Sequence, residues 1–160
     1  MKSQLLSAML RIGMGFIFLW AFFDKVFGLG YATLPEKSWL AGNSPTSGFL
    51  KFGTTGPFKP FFESLAGNSV VDWLFMLGLL GIGLALVLGI GKKLSTLFGT
   101  LLLLLMWLST FPPKNNPLID EHIIYILVLQ LLLPLQSGGV LGLGKWWDET
   151  VLVKKFPFLK

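Results

Sequence analysis

Four apolar runs, each close to bilayer length, constrain this chain more than any other feature. They cover Leu5–Phe27, about Val71–Ile90, about Leu94–Phe111 and about Leu118–Leu135. A hydrocarbon core of about 30 Å takes about 20 helical residues to cross. A helix also keeps its backbone N–H and C=O groups paired inside lipid. The expected fold is therefore an all-α membrane protein: a four-transmembrane-helix bundle forming a single domain over 1–160. Composition agrees. The 160 residues are 53% hydrophobic and 13% charged, with a mean hydropathy of +0.71, which leaves too little polar surface for a soluble domain.

The first run follows Lys2 and superficially matches a signal peptide. Arg11 interrupts it, however, and no small-x-small cleavage site follows, so an uncleaved helix is expected. Only "GIGKK" separates the second and third runs, which makes them a tight antiparallel pair. Pro112-Pro113 closes the third, and Pro134 lies near the end of the fourth. Four spans put both termini on one side, with Lys2, Lys92, Lys93, Lys145, Lys154, Lys155 and Lys160 in short segments there. The other side carries Lys25, Lys37, Lys51, Lys59 and Lys114 over a longer stretch, so the positive-inside rule makes both termini cytoplasmic. Trp146, Trp147 and the lysine-rich tail, 142–160, suit an anchor in the inner interface. In the second run Gly81, Ala85 and Gly89 recur every fourth residue, a small-residue face for close helix packing.

The connection from 28 to 70 is too long for a turn, and too rich in Gly, Pro, Phe and Trp for a disordered linker. In "NSPTSGFLKF", Ser44 or Thr46 can cap a helix, with Pro45 in its first turn. "GPFKPFFESLAGN" puts Phe58, Phe61, Phe62 and Leu65 on one side of a second short helix, stopped at Gly67-Asn68. "SVVD" (Ser69–Asp72) reads as a capping box opening the second span. The whole segment is expected to be a partly helical lid over the outer end of the bundle.

Without cysteine the chain has no disulfide, no thiolate metal site and no cysteine nucleophile, and its single histidine cannot supply bis-His haem ligation. Net charge is +5, but no basic run or basic–aromatic platform supports nucleic-acid binding. The outer helix ends differ from the inner ones by carrying Asp24, Lys25, Asp72, Asp120, Glu121 and His122, with Trp20, Trp73 and Trp107 close by. The acids have a plain explanation: Asn116 caps the fourth helix, Pro117 takes its first position, and Asp120 and Glu121 favour the positive end of its dipole. His122 lies deeper, near Leu118, Tyr125 and Ile126, and can exchange a proton near neutral pH. Asp24 and Lys25 read equally as an exposed helix terminus or as groups turned into the bundle. Arg11 lies about 20 Å from Asp24 along the helix, so it is expected to snorkel or to hold a lipid phosphate. Adjacent acid and imidazole side chains diverge around a helix, so no metal site is expected.

The segments "RIGMGFIFLWAFFDKVFG", "WLAGNSPTSGFLKFGTTGPF", "LAGNSVVDWLFMLGLLGIGLALVLGIG" and "NNPLIDEHIIYILVL" resemble the DoxX/DoxD family of small prokaryotic membrane proteins. The resemblance runs over nearly the whole chain; its more specific parts are Asp24-Lys25 and the SPTSGFL segment. It implies a four-helix protein of the prokaryotic plasma membrane. In some members it implies the membrane subunit of an archaeal thiosulfate:quinone oxidoreductase.

Two functions are consistent with this reading. In the first, the chain is a membrane subunit of a quinone-linked oxidoreductase. His122, Asp120, Glu121 and Asp24 handle protons, and Trp107, Tyr125, Phe61, Phe62 and Lys25 line the quinone site near the outer helix ends. If thiosulfate is the donor, Lys25 or Lys51 attracts that dianion. With no bound redox centre of its own, such a chain needs a second redox subunit or a homo-oligomer besides lipid and quinone. In the second, it is a non-catalytic membrane scaffold or assembly factor that uses the Gly81 face and the aromatic lid to hold partners. A transporter would call for a broken helix or an inverted repeat, and neither is visible.

Overall fold

The computed structural model describes residues 2–135 and 137–160. Eight helices are described: α1 Lys2–Phe27, α2 Ser47–Phe52, α3 Lys59–Ser64, α4 Ser69–Leu88, α5 Lys92–Ser109, α6 Glu121–Leu132, α7 Gly144–Glu149 and α8 Val151–Lys155. Short 3-10 turns occupy Pro35–Lys37, Ser137–Gly139 and Pro157–Leu159, and the described residues contain no strand. Three helices, α1, α4 and α5, are long and apolar enough to cross a membrane. At 1.5 Å per residue they run about 39, 30 and 27 Å. Their outward faces stay apolar (Leu6, Phe16, Leu74, Leu77, Leu97 and Leu101 are all exposed), as lipid contact requires and water would not favour.

The fourth apolar run behaves differently from expectation. Its helix is only Glu121–Leu132, about 18 Å long. Two short polar side chains compete to start it, and Asp120 takes the cap. Its Oδ1 accepts from the backbone N–H groups of His122 at 3.0 Å and Ile123 at 3.3 Å. Asn116 instead closes a separate turn, accepting from Leu118 and Ile119 N–H, both at 2.9 Å. At the other end Pro134 has no N–H with which to continue the ladder.

The core gathers Met14 and Phe18 from α1, Met76, Leu79, Ile82 and Leu86 from α4, Leu103 from α5, and Leu129 and Leu132 from α6. On α4 these positions recur every three or four residues, the stripe of a helix buried on one side. α4 packs against both α1 and α5, and α5 packs against α6. Close approach uses glycines, but of the expected stripe only Gly89 is tightly approached, with a Cβ there 2.8 Å from Gly138 O. A Cβ on Gly15 would lie 2.9 Å from the Gly83 carbonyl, and one on Gly83 would lie 2.7 Å from Leu19 Cγ. Gly81 is exposed, and a Cβ there would meet nothing within 4 Å. The α1 contact follows the face of Gly83 and Val87, two residues round the helix from Gly81.

Arg11 also departs from expectation. It is 1% exposed and neither snorkels nor reaches lipid. One terminal nitrogen donates to the carbonyls of Leu86 and Val87, the other to Val140 at 3.0 Å and Leu141 at 3.1 Å. The carbonyls of the last α4 turn have no helical partner and carry the negative end of its dipole, so a cation there is doubly favoured. Leu143 N–H adds a 2.7 Å bond to Leu88 O. Arg11 thus ties α1, the end of α4 and the C-terminal segment together at one end of the bundle, here called the tail end. The opposite, lid end receives the 28–70 connection.

Candidate functional site

At the lid end the buried carboxylates are anchors. Asp24, 2% exposed, accepts from Tyr31 N–H at 3.3 Å and Ala32 N–H at 3.0 Å. The turn that brings those amides round needs Gly28, whose φ is +67° and where a Cβ would lie 2.5 Å from Pro35 Cα. Trp39 and Leu40 N–H then bond the α1 carbonyls of Lys25 at 2.9 Å and Val26 at 3.2 Å. Asp72 is not a capping-box acid. Asn68 caps α4, accepting from Val70 N–H at 2.9 Å, while Asp72 turns inward to accept from Ser44 Oγ at 2.8 Å and Thr46 Oγ1 at 2.5 Å. The two hydroxyls expected to cap α2 therefore donate to a carboxylate of α4, although Ser44 Oγ also accepts from Ser47 N–H at 3.0 Å. Thr55 N–H to Ser109 O, 2.9 Å, fastens the lid to α5.

His122 stands in the first turn of α6 with Nδ1 2.8 Å from Asp120 Oδ2. One carboxylate thus serves two purposes: Oδ1 caps the helix and Oδ2 holds the imidazole. Glu121 is exposed. None of the described hydrogen bonds or ion pairs joins Asp24 to His122, Asp120 or Glu121. Trp107 Nε1 donates to Leu118 O at 3.0 Å and its ring lies 4.8 Å from that of Phe111, so it pins the chain leading into α6. Tyr125 is half-buried against the core. On α3, Phe62 is buried but Phe61 is 60% exposed, so the two do not share the buried side that their spacing predicted. Among the described residues no three His, Asp or Glu side chains are grouped to hold a metal ion.

A cavity of about 680 Å³ lies elsewhere, in a groove between α4 and α5. Its walls are Val71, Leu74, Phe75, Leu77, Gly78 and Ile82 on one side and Phe98, Leu101, Leu102, Leu105, Met106 and Ser109 on the other. Pro45, Thr46, Phe49, Leu50 and Leu65 close it at the lid end. From Val71 to Ile82, and from Phe98 to Ser109, the walls run about 16 Å along the helices. All polar lining sits at the lid end: Lys25, Thr46 and Ser109. Thr46 is spent on Asp72, and Ser109 Oγ donates to Met106 O at 2.6 Å. The Lys25 ammonium lies 5.9 Å from the centre of the Phe75 ring, and the described residues give it no hydrogen bond or ion pair.

Of the residues nominated from sequence, only Lys25 lines this groove. The rest of the wall was missed because its residues look like ordinary lipid-facing positions. Gly78, whose missing side chain leaves room beside Phe75 and Leu102, was the one available signal. Comparison of the chain with family models, with curated proteins and with solved structures finds no match.

Proposed function

We propose that this chain is the membrane subunit of a quinone-linked oxidoreductase, with the quinone head beside Lys25 and its tail along Ile82 and Phe98. The layout of the groove carries the reading: it is apolar for most of its length and ends in one half-buried ammonium that lies over the Phe75 ring and has no hydrogen-bond or ion-pair partner among the described residues. A ring-and-tail carrier supplies carbonyl oxygens for such a donor and hydrocarbon for the rest. Burial of a cation that only an aromatic face offsets is unfavourable, so a hydrogen-bond acceptor at this point is stabilising. Phe75 and Phe98 offer apolar contact, and Gly78 leaves room between them. A bound quinone supplies two-electron, two-proton carrier chemistry. Within the chain, Lys25 orients the head group and favours negative charge developing on its oxygen. His122, held by Asp120 with solvent-facing Glu121 beside it, is the lid end's group for exchanging protons with water. The buried Asp24 positions the lid that closes the groove. With no cysteine and one histidine in the chain, electrons come from a second redox subunit. The thiosulfate-linked version rests on the DoxX/DoxD resemblance alone.

The proposal includes a four-span arrangement in a prokaryotic plasma membrane, with α6 and its flanking residues as the fourth span and both termini cytoplasmic. It is supported by the meeting of the α1 start, the α4–α5 turn and the C-terminal segment at one lysine-bearing end of the bundle.

A scaffold or assembly factor is the second reading. Its support is that Asp24, Asp72 and Arg11 are all engaged in holding the lid and tail. Solvent extraction of protein purified from its native membranes separates the two. The quinone reading predicts near-stoichiometric quinone in the wild type and its loss in Lys25→Met and in Gly78→Leu, which fills the groove. A wild type free of quinone supports the scaffold.

A further inference from the structure

The tail end holds a second cavity, of about 310 Å³, which the quinone reading does not use. Four lysines, Lys92, Lys93, Lys145 and Lys160, line it with one acid, Asp148. Lys160 pairs with Asp148 at 3.4 Å, and Lys93 donates to Pro157 O at 3.3 Å. Lys92 and Lys145 have no acidic partner among the described residues. The side chains around this small space therefore carry an excess of three positive charges, a cluster whose mutual repulsion an anion between them would relieve.

The surroundings select the kind of anion. The pocket sits where the bilayer-length helices α4 and α5 turn, and its remaining wall includes the apolar Leu133 and Pro134. Beside it the C-terminal segment exposes Trp146, Leu152, Phe156 and Phe158 together with Lys154 and Lys155. That mixture of aromatic, aliphatic and basic side chains suits the head-group layer of a membrane. The segment is held there by specific bonds: Trp147 Nε1 to Leu159 O at 2.8 Å and Lys93 N–H to Lys160 O at 3.1 Å. The lysines from α5 and from the segment after α6 are thus brought to one point where the bilayer-length helices turn.

We propose that this pocket is a binding site for the phosphodiester of an anionic phospholipid, with Lys92 and Lys145 as its principal contacts and acyl chains running beside Leu133. Basic recesses between helices at the cytoplasmic surface favour anionic head groups. The site is independent of the α4–α5 groove, so it stands or falls separately from the quinone reading.

Native mass spectrometry of the full chain in detergent tests this, with phosphatidylglycerol, phosphatidylcholine or inorganic phosphate added in turn. Wild type is expected to retain phosphatidylglycerol over phosphatidylcholine. The double variant Lys92→Gln, Lys145→Gln should lose roughly 10- to 30-fold in that affinity, from about 1 kcal/mol per lysine. Lys154→Gln with Lys155→Gln removes the same charge outside the pocket and should change affinity less than about 3-fold, because these exposed lysines do not line the pocket and act on its occupant only through screened charge. Equal losses in the two double variants would overturn the site, as would no loss in either or equal retention of the two lipids. Inorganic phosphate held as strongly as phosphatidylglycerol would also overturn it, pointing to a soluble anion. Unchanged thermal unfolding of the pocket variant guards against a folding defect; if it unfolds, Lys145→Gln alone carries the comparison, with a loss of about 5-fold expected.

Discussion

Replacing Asp72 with Ala tests how the lid is held. The carboxylate is 7% exposed and accepts from Ser44 Oγ at 2.8 Å and Thr46 Oγ1 at 2.5 Å. A hydrogen bond to a charged acceptor contributes about 1.5–3 kcal/mol. Two bonds sharing one carboxylate are not additive, so the pair is worth about 3 kcal/mol to closure of the lid on α4. Opening of α2 should then become about 150-fold more frequent. Hydrogen exchange of the protein in nanodiscs reads this directly: amides of 46–53 should exchange about two orders of magnitude faster, while those of 76–86 in the core of α4 keep their protection. Asp72→Asn retains one neutral acceptor and should show roughly half the free-energy effect. A capping acid would behave differently, because its loss would loosen the first turn of α4 and leave 46–53 unchanged. That pattern, or exchange in 46–53 altered by less than about 3-fold, would refute the clamp.

The α1–α4 contact predicts opposite outcomes for two nearby glycines. Gly83→Ala drives a Cβ to 2.7 Å from Leu19 Cγ and should lower stability by about 1–3 kcal/mol, whereas Gly81→Ala meets open space and should raise it by up to ~1 kcal/mol, both read by thermal unfolding in detergent. Arg11→Met leaves the Val140 and Leu141 carbonyls without their donor and should destabilise by about 3 kcal/mol, with protease sensitivity appearing first in 137–143. His122→Gln keeps the Asp120 cap and should shift stability by less than ~1 kcal/mol without changing quinone content, since His122 does not line the groove. Loss of quinone at unchanged stability would move the head group to His122.

Hydropathy made the three long helices legible, because it is a sum over residues and needs no knowledge of partners. The runs Leu5–Phe27, Val71–Ile90 and Leu94–Phe111 overlap α1, α4 and α5 to within three residues at each end. The start of α6 was less legible because Asn116 and Asp120 both suit a cap, and local sequence does not rank them. Hardest to read were the polar partnerships. Asp72 meets hydroxyls 26 and 28 residues away, and Arg11 reaches carbonyls up to 130 residues away. A buried charge announces that it must be satisfied, but the tertiary fold decides by what. The small-residue stripe held only at Gly89, against Gly138, and not at Gly81, for a related reason: spacing of four defines a face, and which neighbour approaches that face depends on the whole bundle. The groove was hidden because its walls have the composition of any lipid-facing surface, and only Lys25, with no hydrogen-bond or ion-pair partner among the described residues, sets it apart.

Photolabelling with an azido-quinone, followed by peptide mapping, tests the central claim most directly. With the protein in nanodiscs, label that unmodified quinone competes away should fall on the α4 stretch 71–82 and the α5 stretch 98–109, and Lys25→Met should abolish it. Competable label concentrated on α6 around His122, or label that excess quinone does not displace, would contradict the assignment of the groove.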